Sequence, residues 1–232
     1  MGASCSSPQA ATPSPDVNLE DGLRDHRQLL DFDELYDDDG TKVIGRSGTT
    51  VVTRATRRSD GVSVAVKVVP RGELSADPSA TERIVRECKL HKRLRHRNIV
   101  QLFDVFVEPE RIRFVMEVCA GGDLHDGVRR FGGRVPDAQA RSIMRQTLAA
   151  VAYLHANGVI HRDIKVENVL LTNNTSQPGV KLADFGYSKE LSDLVARAAR
   201  SGSADGRPGM RKKDSVLGTP EYAAPEILNE EK

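Results

Sequence analysis

Two short stretches of the sequence hold residue types that could carry out a reaction. Asp163 is followed two residues later by Lys165 and five residues later by Asn168, and Asp184 begins an Asp-Phe-Gly triplet sixteen residues after Asn168. An aspartate can accept the proton of an attacking hydroxyl, and a lysine can neutralise charge on a phosphoryl group in transit. The side-chain oxygens of Asn168 and Asp184 suit Mg²⁺. This order of base, cation and magnesium ligands is the one that phosphoryl transfer from ATP to a hydroxyl requires.

The composition of the chain argues against several other classes of protein. Its 232 residues are 38% hydrophobic, enough for one substantial core or for two smaller lobes. The net charge of +1 predicts neither nucleic-acid binding nor a general attraction to membranes. No apolar run approaches the ~20 residues of a transmembrane helix. The three cysteines are too widely spaced to suggest a metal site or a disulfide framework, so we expect a cytoplasmic protein.

The amino terminus matches an acylation pattern. Gly2 follows the initiator methionine, Ser6 lies where N-myristoylation requires a hydroxyl, and Cys5 is a candidate for palmitoylation. Two acyl chains matter because one alone gives only reversible membrane binding. The alternative is a chance match within a disordered tail rich in Ser, Pro and Ala. We favour acylation at Gly2 and Cys5, which predicts that the cytoplasmic protein associates with membranes.

The first half of the chain has the pattern of strands with one helix. Residues 1–40 form a polar leader that ends in an acidic cluster, which we interpret as a solvated linker. A helix capped by Asp77 is predicted from Pro78 to about residue 94. The predicted strands lie at 42–44, 51–52, 62–69, 99–106 and 112–118. The adjacent residues Gly121 and Gly122 then mark a change of architecture.

The second half has the pattern of helices and polar loops. A helix is predicted over 136–156, ended by Asn157 and Gly158. One face of this helix is predicted to be apolar and to include Ile143, Met144, Thr147, Leu148, Val151 and Leu154. Residues 190–213 are rich in Ala, Gly, Ser and Arg and are expected to form a mobile insert.

Between about residues 40 and 228 the order of motifs resembles that of a eukaryotic serine/threonine protein kinase. Lys67 in an apolar strand and Glu87 in the following helix share the register of the kinase ion pair, and Lys165 fits the serine/threonine branch. The strings at 115–124 and 184–189 look most like the calcium/calmodulin-dependent group. Within that group they resemble plant and protist calcium-dependent and sucrose-non-fermenting-related kinases.

The resemblance implies an α+β fold with two lobes. An antiparallel sheet would form the N-lobe over residues 41–119, and a mainly helical, partial C-lobe would follow over 120–232. In the family, several more helices follow the segment that ends here at Glu226, so we expect a large lobe that is incomplete at its C-terminus. No EF-hand-like loop is found in the sequence.

The resemblance also implies cofactors and site residues. ATP and Mg²⁺ would be used, with Asp163 and Lys165 as catalytic residues and Asn168 and Asp184 as metal ligands. The residues that would bind ATP are Gly45, Val52, Ala65, Lys67, Glu87, Met116, Glu117, Cys119 and Leu170. His91, one helical turn after Glu87, would be a packed, neutral histidine.

The glycine-rich loop departs from the family pattern. Ser47 and Thr50 occupy the positions of the second and third glycines, and Gly48 is out of phase. Glycines let backbone N–H groups approach phosphates closely. The two replacements are therefore expected to weaken or reshape the contacts with ATP.

Substrate and regulation follow from the same resemblance. Asp123 and Glu167 would pair with arginine near the target hydroxyl, which predicts protein substrates with basic motifs. Ser215 lies at the usual activation-segment phosphosite, and Arg162 would receive its phosphate. The alternative is an exposed basic loop without modification.

A hypothesis from a different class stays open. A truncated chain or pseudokinase could act as a membrane-tethered binding or regulatory module without turnover, and the altered glycine loop favours this. The presence of Lys67, Glu87, Asp163 and Asp184 favours an active enzyme instead. A small-molecule phosphotransferase is poorly supported, since such enzymes seldom carry the Gly-Thr-Pro-Glu-Tyr string that begins at Gly218.

Overall fold

The computed structural model describes residues 31–38, 40–72, 78–193, 195, 219–223 and 225. In these residues an antiparallel sheet is followed by a mainly helical region, which confirms the predicted α+β fold with two lobes. None of the helices in the described ranges is long and apolar enough to span a bilayer. Several predictions lie outside the described residues, namely those on Gly2, Cys5, Asp77, Ser215 and most of the insert at 190–213.

The small lobe is built on a six-stranded antiparallel sheet. Its strands are β1 (Tyr36–Asp37), β2 (Val43–Ser47), β3 (Thr50–Arg57), β4 (Ser63–Pro70), β5 (Leu102–Val107) and β6 (Arg111–Glu117). The strand order is β1-β3-β4-β6-β5, and β2 also pairs with β3. The sheet is accompanied by the helices α1 (Phe32–Leu35) and α2 (Pro78–Arg93). Strand β5 begins three residues later than predicted, because Ile99 instead bridges to Leu182 in the large lobe.

Alternating side chains divide this sheet into an inner and an outer face. The inner face, which carries Ala65 and Lys67, contacts α2. Its buried core joins Ile84, Val85 and Cys88 of the helix to Leu102, Val105, Ile112 and Phe114 of the sheet. The outer face carries Val64 and Val66, which pack with Val115 from β6.

The acidic segment before the sheet covers that outer face, so its interpretation as a solvated linker was wrong. Phe32 and Tyr36 are only 3% and 2% exposed. Their rings pack with Phe106 at centroid distances of 5.4 and 6.0 Å, and Tyr36 pairs with Arg57 where β1 joins β3. The apolar side chains are buried while the carboxylates of Asp31, Asp33, Glu34 and Asp37 remain exposed. The small lobe therefore begins before residue 41.

Among the described residues, the large lobe includes helices and two small antiparallel sheets. Its elements are α3 (Leu124–Arg130), α4 (Asp137–Ala156), β7 (Val159–Ile160), β8 (Val169–Leu171), β9 (Val180–Leu182) and β10 (Lys189–Glu190). β8 pairs with β9, and β7 pairs with β10. Leu90 and Leu94, from the end of α2 and the residue after it, are buried in the same core as Leu154 and Leu182. Helix α2 thus packs against both lobes.

The buried stripe of α4 is narrower than predicted. Ile143, Thr147 and Leu154 are buried together with Ala150. Met144 and Leu148 were expected on the buried face, but each is 58% exposed. Helical periodicity locates the apolar side of a helix, but the neighbouring elements decide how much of that side is covered.

Candidate active site

Lys67 lies at the centre of an ion-pair cluster between the lobes. Its Nζ lies 3.4 Å from Glu87 Oε1 and 3.4 Å from Asp184 Oδ1. The apolar strand β4 supplies the lysine, α2 supplies Glu87, and the loop after β9 supplies Asp184. Phe114, the β6 partner of Lys67, places its ring centroid 5.8 Å from the ammonium. A lysine in an apolar strand is costly unless it is paired, and here two carboxylates pair with it.

The electrostatics of this cluster leave an excess of negative charge. Burial opposes the charge of Lys67, but attraction to Glu87 and Asp184 outweighs it and raises the pKa of the ammonium. Burial raises the pKa of Glu87, opposed by Lys67. Burial also acts to raise the pKa of Asp184, yet Lys67 and the Gly186 N–H lower it overall. Two carboxylates thus face one ammonium, an arrangement that favours an additional cation.

A second cluster surrounds Asp163, which is only 5% exposed. The Asn168 side-chain amide donates to both the carbonyl oxygen and Oδ2 of Asp163, each at 2.8 Å. Lys165 Nζ lies 3.0 Å from the same Oδ2. Although burial disfavours a charged Lys165, the hydrogen bond to Asp163 and the neighbouring carboxylates raise its pKa. Asp163 is therefore held in place by two of the residues that follow it in the chain.

Thr219 is a member of this cluster that the sequence analysis did not single out. Its hydroxyl donates to Asp163 Oδ1 at 3.2 Å and accepts from Lys165 Nζ at 2.8 Å. The only sequence signal was its place in the Gly-Thr-Pro-Glu-Tyr string. Because the contact spans more than fifty residues of chain, local spacing could not reveal it.

Backbone contacts join the two clusters. The Ala183 N–H donates to the Asn168 carbonyl at 2.9 Å, and β8 pairs with β9 directly before Asp184. Asp184 and Arg162 are the non-glycine residues with positive φ in the described ranges, at 61° and 72°. Such conformations are costly and persist where the surroundings fix them, often at functional sites.

The residues Asn168 and Asp184 fit a magnesium ion. The Asn168 amide nitrogen is committed to Asp163, which leaves the amide oxygen as the free ligand end. The Asp184 side chain is 41% exposed, so its carboxylate is accessible from the cleft. Carboxylate and amide oxygens are the hard ligands that Mg²⁺ prefers, and the excess negative charge beside Lys67 points the same way.

Two buried histidines enclose Phe185 of the Asp-Phe-Gly triplet. The His91 ring packs on Phe185 in a tilted arrangement at a centroid distance of 4.5 Å, and the His161 ring meets Phe185 edge-on at 5.1 Å. The Nε2 atom of His91 lies 2.7 Å from the Val100 carbonyl. Burial lowers the pKa of His91 to about 4 and also lowers that of His161. The prediction of a packed, neutral His91 is confirmed.

The other predicted nucleotide-binding residues lie on the small-lobe sheet, on the connection between the lobes and on β8. Gly45, Val52 and Ala65 lie on β2, β3 and β4, and Leu170 lies on β8. Met116 and Glu117 end β6, and Cys119 follows it. Burial raises the pKa of the Cys119 thiol to about 12.

The segment after β6 is anchored through Glu117. Its N–H donates to the Gln101 carbonyl at 2.9 Å, and its Oε2 lies 2.8 Å from Lys181 Nζ of β9. Both contacts fix the connection between the lobes, where Glu117 and Cys119 were predicted to bind ATP.

Comparison of the sequence with known proteins agrees with the arrangement of these residues. The family described as "Protein kinase domain" matches residues 39–232. The chain belongs to the protein kinase family. Among similar proteins, CDPK-related kinase 7 of Arabidopsis thaliana is 37% identical over 200 residues, which cover 85% of this chain and 32% of the relative. Calcium/calmodulin-dependent protein kinase type IV of Mus musculus is 34% identical over 227 residues, 97% of this chain and 42% of the relative.

These relatives confirm the resemblance to the calcium/calmodulin-dependent group of serine/threonine kinases. The kinase chain spans between about a third and two fifths of the length of the two relatives described.

Two residues of this kinase were predicted to recognise substrate, and they lie at different elements. Asp123 is the N-cap of α3, where its Oδ1 accepts from the Asp126 N–H at 2.8 Å. Glu167 is exposed in the 3₁₀ turn at Val166–Asn168. Helix α3 contacts this turn, so both carboxylates belong to one region of the large lobe. Asp123 also has a structural role, which the sequence analysis did not consider.

Proposed function

We propose that this protein kinase transfers the γ-phosphate of ATP to serine or threonine residues of protein substrates. The observation that carries the proposal is the buried carboxylate of Asp163, held by Asn168 at 2.8 Å, Lys165 at 3.0 Å and Thr219 at 3.2 Å. A carboxylate has about four lone-pair sites. Three donors therefore orient it and leave capacity for a substrate hydroxyl.

The proposed reaction is an in-line displacement at phosphorus. The substrate hydroxyl oxygen forms a bond to the γ-phosphorus while the bond to the β–γ bridging oxygen breaks, and ADP leaves with that electron pair. The hydroxyl proton passes to the carboxylate of Asp163. Lys165, next to that carboxylate, supplies positive charge to the phosphoryl group, and Thr219 holds both side chains in position.

Lys67 contributes at the nucleotide side of the same reaction. Its ammonium would pair with phosphate oxygens of ATP, while Glu87 keeps it oriented on the inner face. Mg²⁺ held by Asn168 and Asp184 would supply neutralisation of the phosphate charge.

Basic protein substrates are proposed from the carboxylates of Asp123 and Glu167. The second oxygen of Asp123 and the exposed Glu167 can pair with guanidinium groups, whose planar donors match carboxylates. The residues near Ser215 are themselves basic, with Arg211, Lys212 and Lys213 upstream, so self-phosphorylation of Ser215 is proposed as the activating step.

The experiment for this function compares matched peptides. A serine peptide with upstream arginines, its charge-reversed glutamate version and a tyrosine version are incubated with the chain and labelled Mg-ATP. We expect transfer to the basic serine peptide alone. Equal labelling of the charge-reversed peptide would contradict the basic motif, and labelling of the tyrosine peptide would contradict the serine/threonine assignment.

A pseudokinase acting as a binding module is the second candidate, favoured by Ser47 and Thr50 in the glycine-rich loop. It predicts a folded chain that transfers no phosphate to the peptides, whether or not it binds ATP. Radiolabel transfer that depends on Asp163 would exclude it.

Membrane attachment of the cytoplasmic kinase is proposed from Gly2 and Cys5. Labelling in cells with alkyne analogues of myristate and palmitate is expected to mark both sites. Gly2→Ala should remove the myristate label and shift the protein from the membrane to the soluble fraction. Unchanged fractionation of Gly2→Ala would contradict this proposal.

A further inference from the structure

The loop between β2 and β3 is a tight two-residue hairpin turn. Ser47 pairs with Thr50, so only Gly48 and Thr49 form the turn. Gly48 has a φ of +55° while Thr49 is not among the residues with positive φ. A two-residue turn with glycine first and φ > 0 only there has the type II′ pattern. Gly48 therefore serves the turn, which explains its displacement from the family spacing.

The register of this hairpin decides where its hydroxyls point. Gly45 is opposite Val52, and Val52 is opposite Lys67. Residues directly opposite each other in an antiparallel sheet share a face, and so do residues two apart on one strand. The register shift in β2 lies between Val43 and Gly45 and does not affect this part. Ser47 and Thr50 thus project from the inner face that carries Lys67.

This face is the one on which the phosphates of ATP would lie. Lys67 reaches Glu87 and Asp184 from it. A Cβ added at Gly45 would meet the Val52 side chain at 3.7 Å, an ordinary contact. Packing within the protein therefore does not by itself require a glycine at position 45. Ser47 and Thr50 add two hydroxyl groups to this face.

We propose that the hydroxyls of Ser47 and Thr50 donate hydrogen bonds to phosphate oxygens of ATP. The hairpin then binds phosphate through side chains where a glycine loop uses backbone N–H groups. Ser and Thr hydroxyls are suited to this because each supplies one rotatable O–H donor. Hydrogen bonds to charged oxygens are the stronger ones. This inference rests on the proposed use of ATP.

The test measures nucleotide binding by the full 1–232 chain, using displacement of a fluorescent ATP analogue by ATP and by adenosine. The double variant Ser47→Ala/Thr50→Val removes both hydroxyls and keeps the Cβ atoms and the β-branch. We expect its Kd for Mg-ATP to rise at least about tenfold, the equivalent of one charge-assisted hydrogen bond. Its Kd for adenosine should stay unchanged, which also reports that the site is folded.

Two further variants separate hydrogen bonding from steric effects. Thr49→Ala, which removes a hydroxyl from the turn, should bind ATP like the wild type. Ser47→Gly/Thr50→Gly should bind ATP no more tightly than the wild type. Tighter ATP binding by the glycine variant would overturn the inference, because it would show that the two side chains obstruct the phosphates. Wild-type ATP affinity in Ser47→Ala/Thr50→Val would overturn it as well, because it would show that the hydroxyls make no contact with the phosphates.

The outcomes also separate this inference from the proposed function. A wild type that binds ATP with the predicted loss in the hydroxyl variant, yet transfers no phosphate, contradicts the function and supports the inference. If the wild type transfers phosphate and Ser47→Ala/Thr50→Val binds ATP as tightly as the wild type does, only the inference is contradicted. Failure of the wild type to bind ATP overturns both.

Discussion

The catalytic loop and the β2–β3 hairpin approach one substrate in different ways. Around Asp163 the chemistry depends on side chains, and Asn168, Lys165 and Thr219 hold the carboxylate at hydrogen-bond distances. In the hairpin the strand register is fixed by the backbone, and the side chains of Ser47 and Thr50 sit on that frame. The Asp163 carboxylate is thus oriented by other side chains, whereas the two hydroxyls of the hairpin are positioned by the pairing of β2 with β3.

The largest effect is expected from Asp163→Asn, which keeps the size of the side chain and removes the base. Transfer to a basic serine peptide should fall about a thousandfold, within the range that general-base catalysis supplies. Nucleotide affinity should stay near the wild-type value, because the change lies at the chemical end of the site.

The matched control for that prediction is Asp137→Asn, an exposed carboxylate at the start of α4. It should retain full transfer. A similar loss in both variants would mean that the Asp163 result reflects damage to the fold, and the comparison between the two regions would fail.

Lys67→Met tests the residue that shares a face with the hairpin. It leaves Glu87 and Asp184 without their cation, so both transfer and stability should fall, transfer by about a hundredfold or more and stability by roughly 3 kcal/mol. The variant Lys67→Met/Glu87→Leu should recover part of the stability measured by urea unfolding and none of the transfer. Recovery of transfer would contradict a direct role of Lys67 with ATP.

Phe32→Ala asks whether the hairpin depends on the covered outer face. Loss of this ring, which packs with Tyr36 and lies 3.9 Å beneath the Arg113 guanidinium, should cost about 3 kcal/mol of unfolding free energy. Met144→Ala, at an exposed site, should cost less than about 0.5 kcal/mol. ATP affinity should be unchanged in both at 20 °C. Equal stability of the two variants in urea would show that the segment does not support the lobe.

The pH dependence of the unfolding free energy is expected to depend on His91, which packs on Phe185 behind the catalytic residues. Its pKa is about 4 when folded, against 6.5 as the reference for the unfolded chain. Between these values the unfolded state binds more protons, so stability falls as the pH decreases from 6.5 towards 4, by up to about 3 kcal/mol. Burial of His161 acts in the same direction.

The variant His91→Leu should show a shallower loss of stability between pH 7 and pH 5 in urea unfolding. His155→Leu, which changes an exposed histidine of α4, should keep the wild-type slope. If His91→Leu keeps that slope as well, the buried histidine does not carry the pH dependence.

The strings that carry the chemistry were predictable because they are short and contiguous. Asp163, Lys165 and Asn168 lie within six residues, so the turn that follows His161 brings them together wherever it forms. Lys67 was predictable for a different reason, since an unpaired lysine is unfavourable in an apolar strand.

What the sequence did not reveal depends on contacts between distant segments. Phe32 and Tyr36 lie among acidic residues in the sequence. The high charge of this segment indicated a solvated linker, although the two rings pack on the outer face. Thr219 reaches Asp163 only through the tertiary fold. Met144 and Leu148 share the apolar side of α4, but the position of the neighbouring elements, which periodicity does not give, leaves them exposed.

The most direct test of the account is a steady-state measurement of kcat and of KM for ATP, with a basic serine peptide at saturation. The wild-type 1–232 chain is compared with Asp163→Asn and with Ser47→Ala/Thr50→Val. We predict that the first variant loses kcat, while the second keeps most of kcat and raises KM for ATP about tenfold or more. Wild-type kcat in Asp163→Asn, or an unchanged KM in the hairpin variant, would contradict the division between a catalytic loop that performs the chemistry and a hairpin that binds the phosphates.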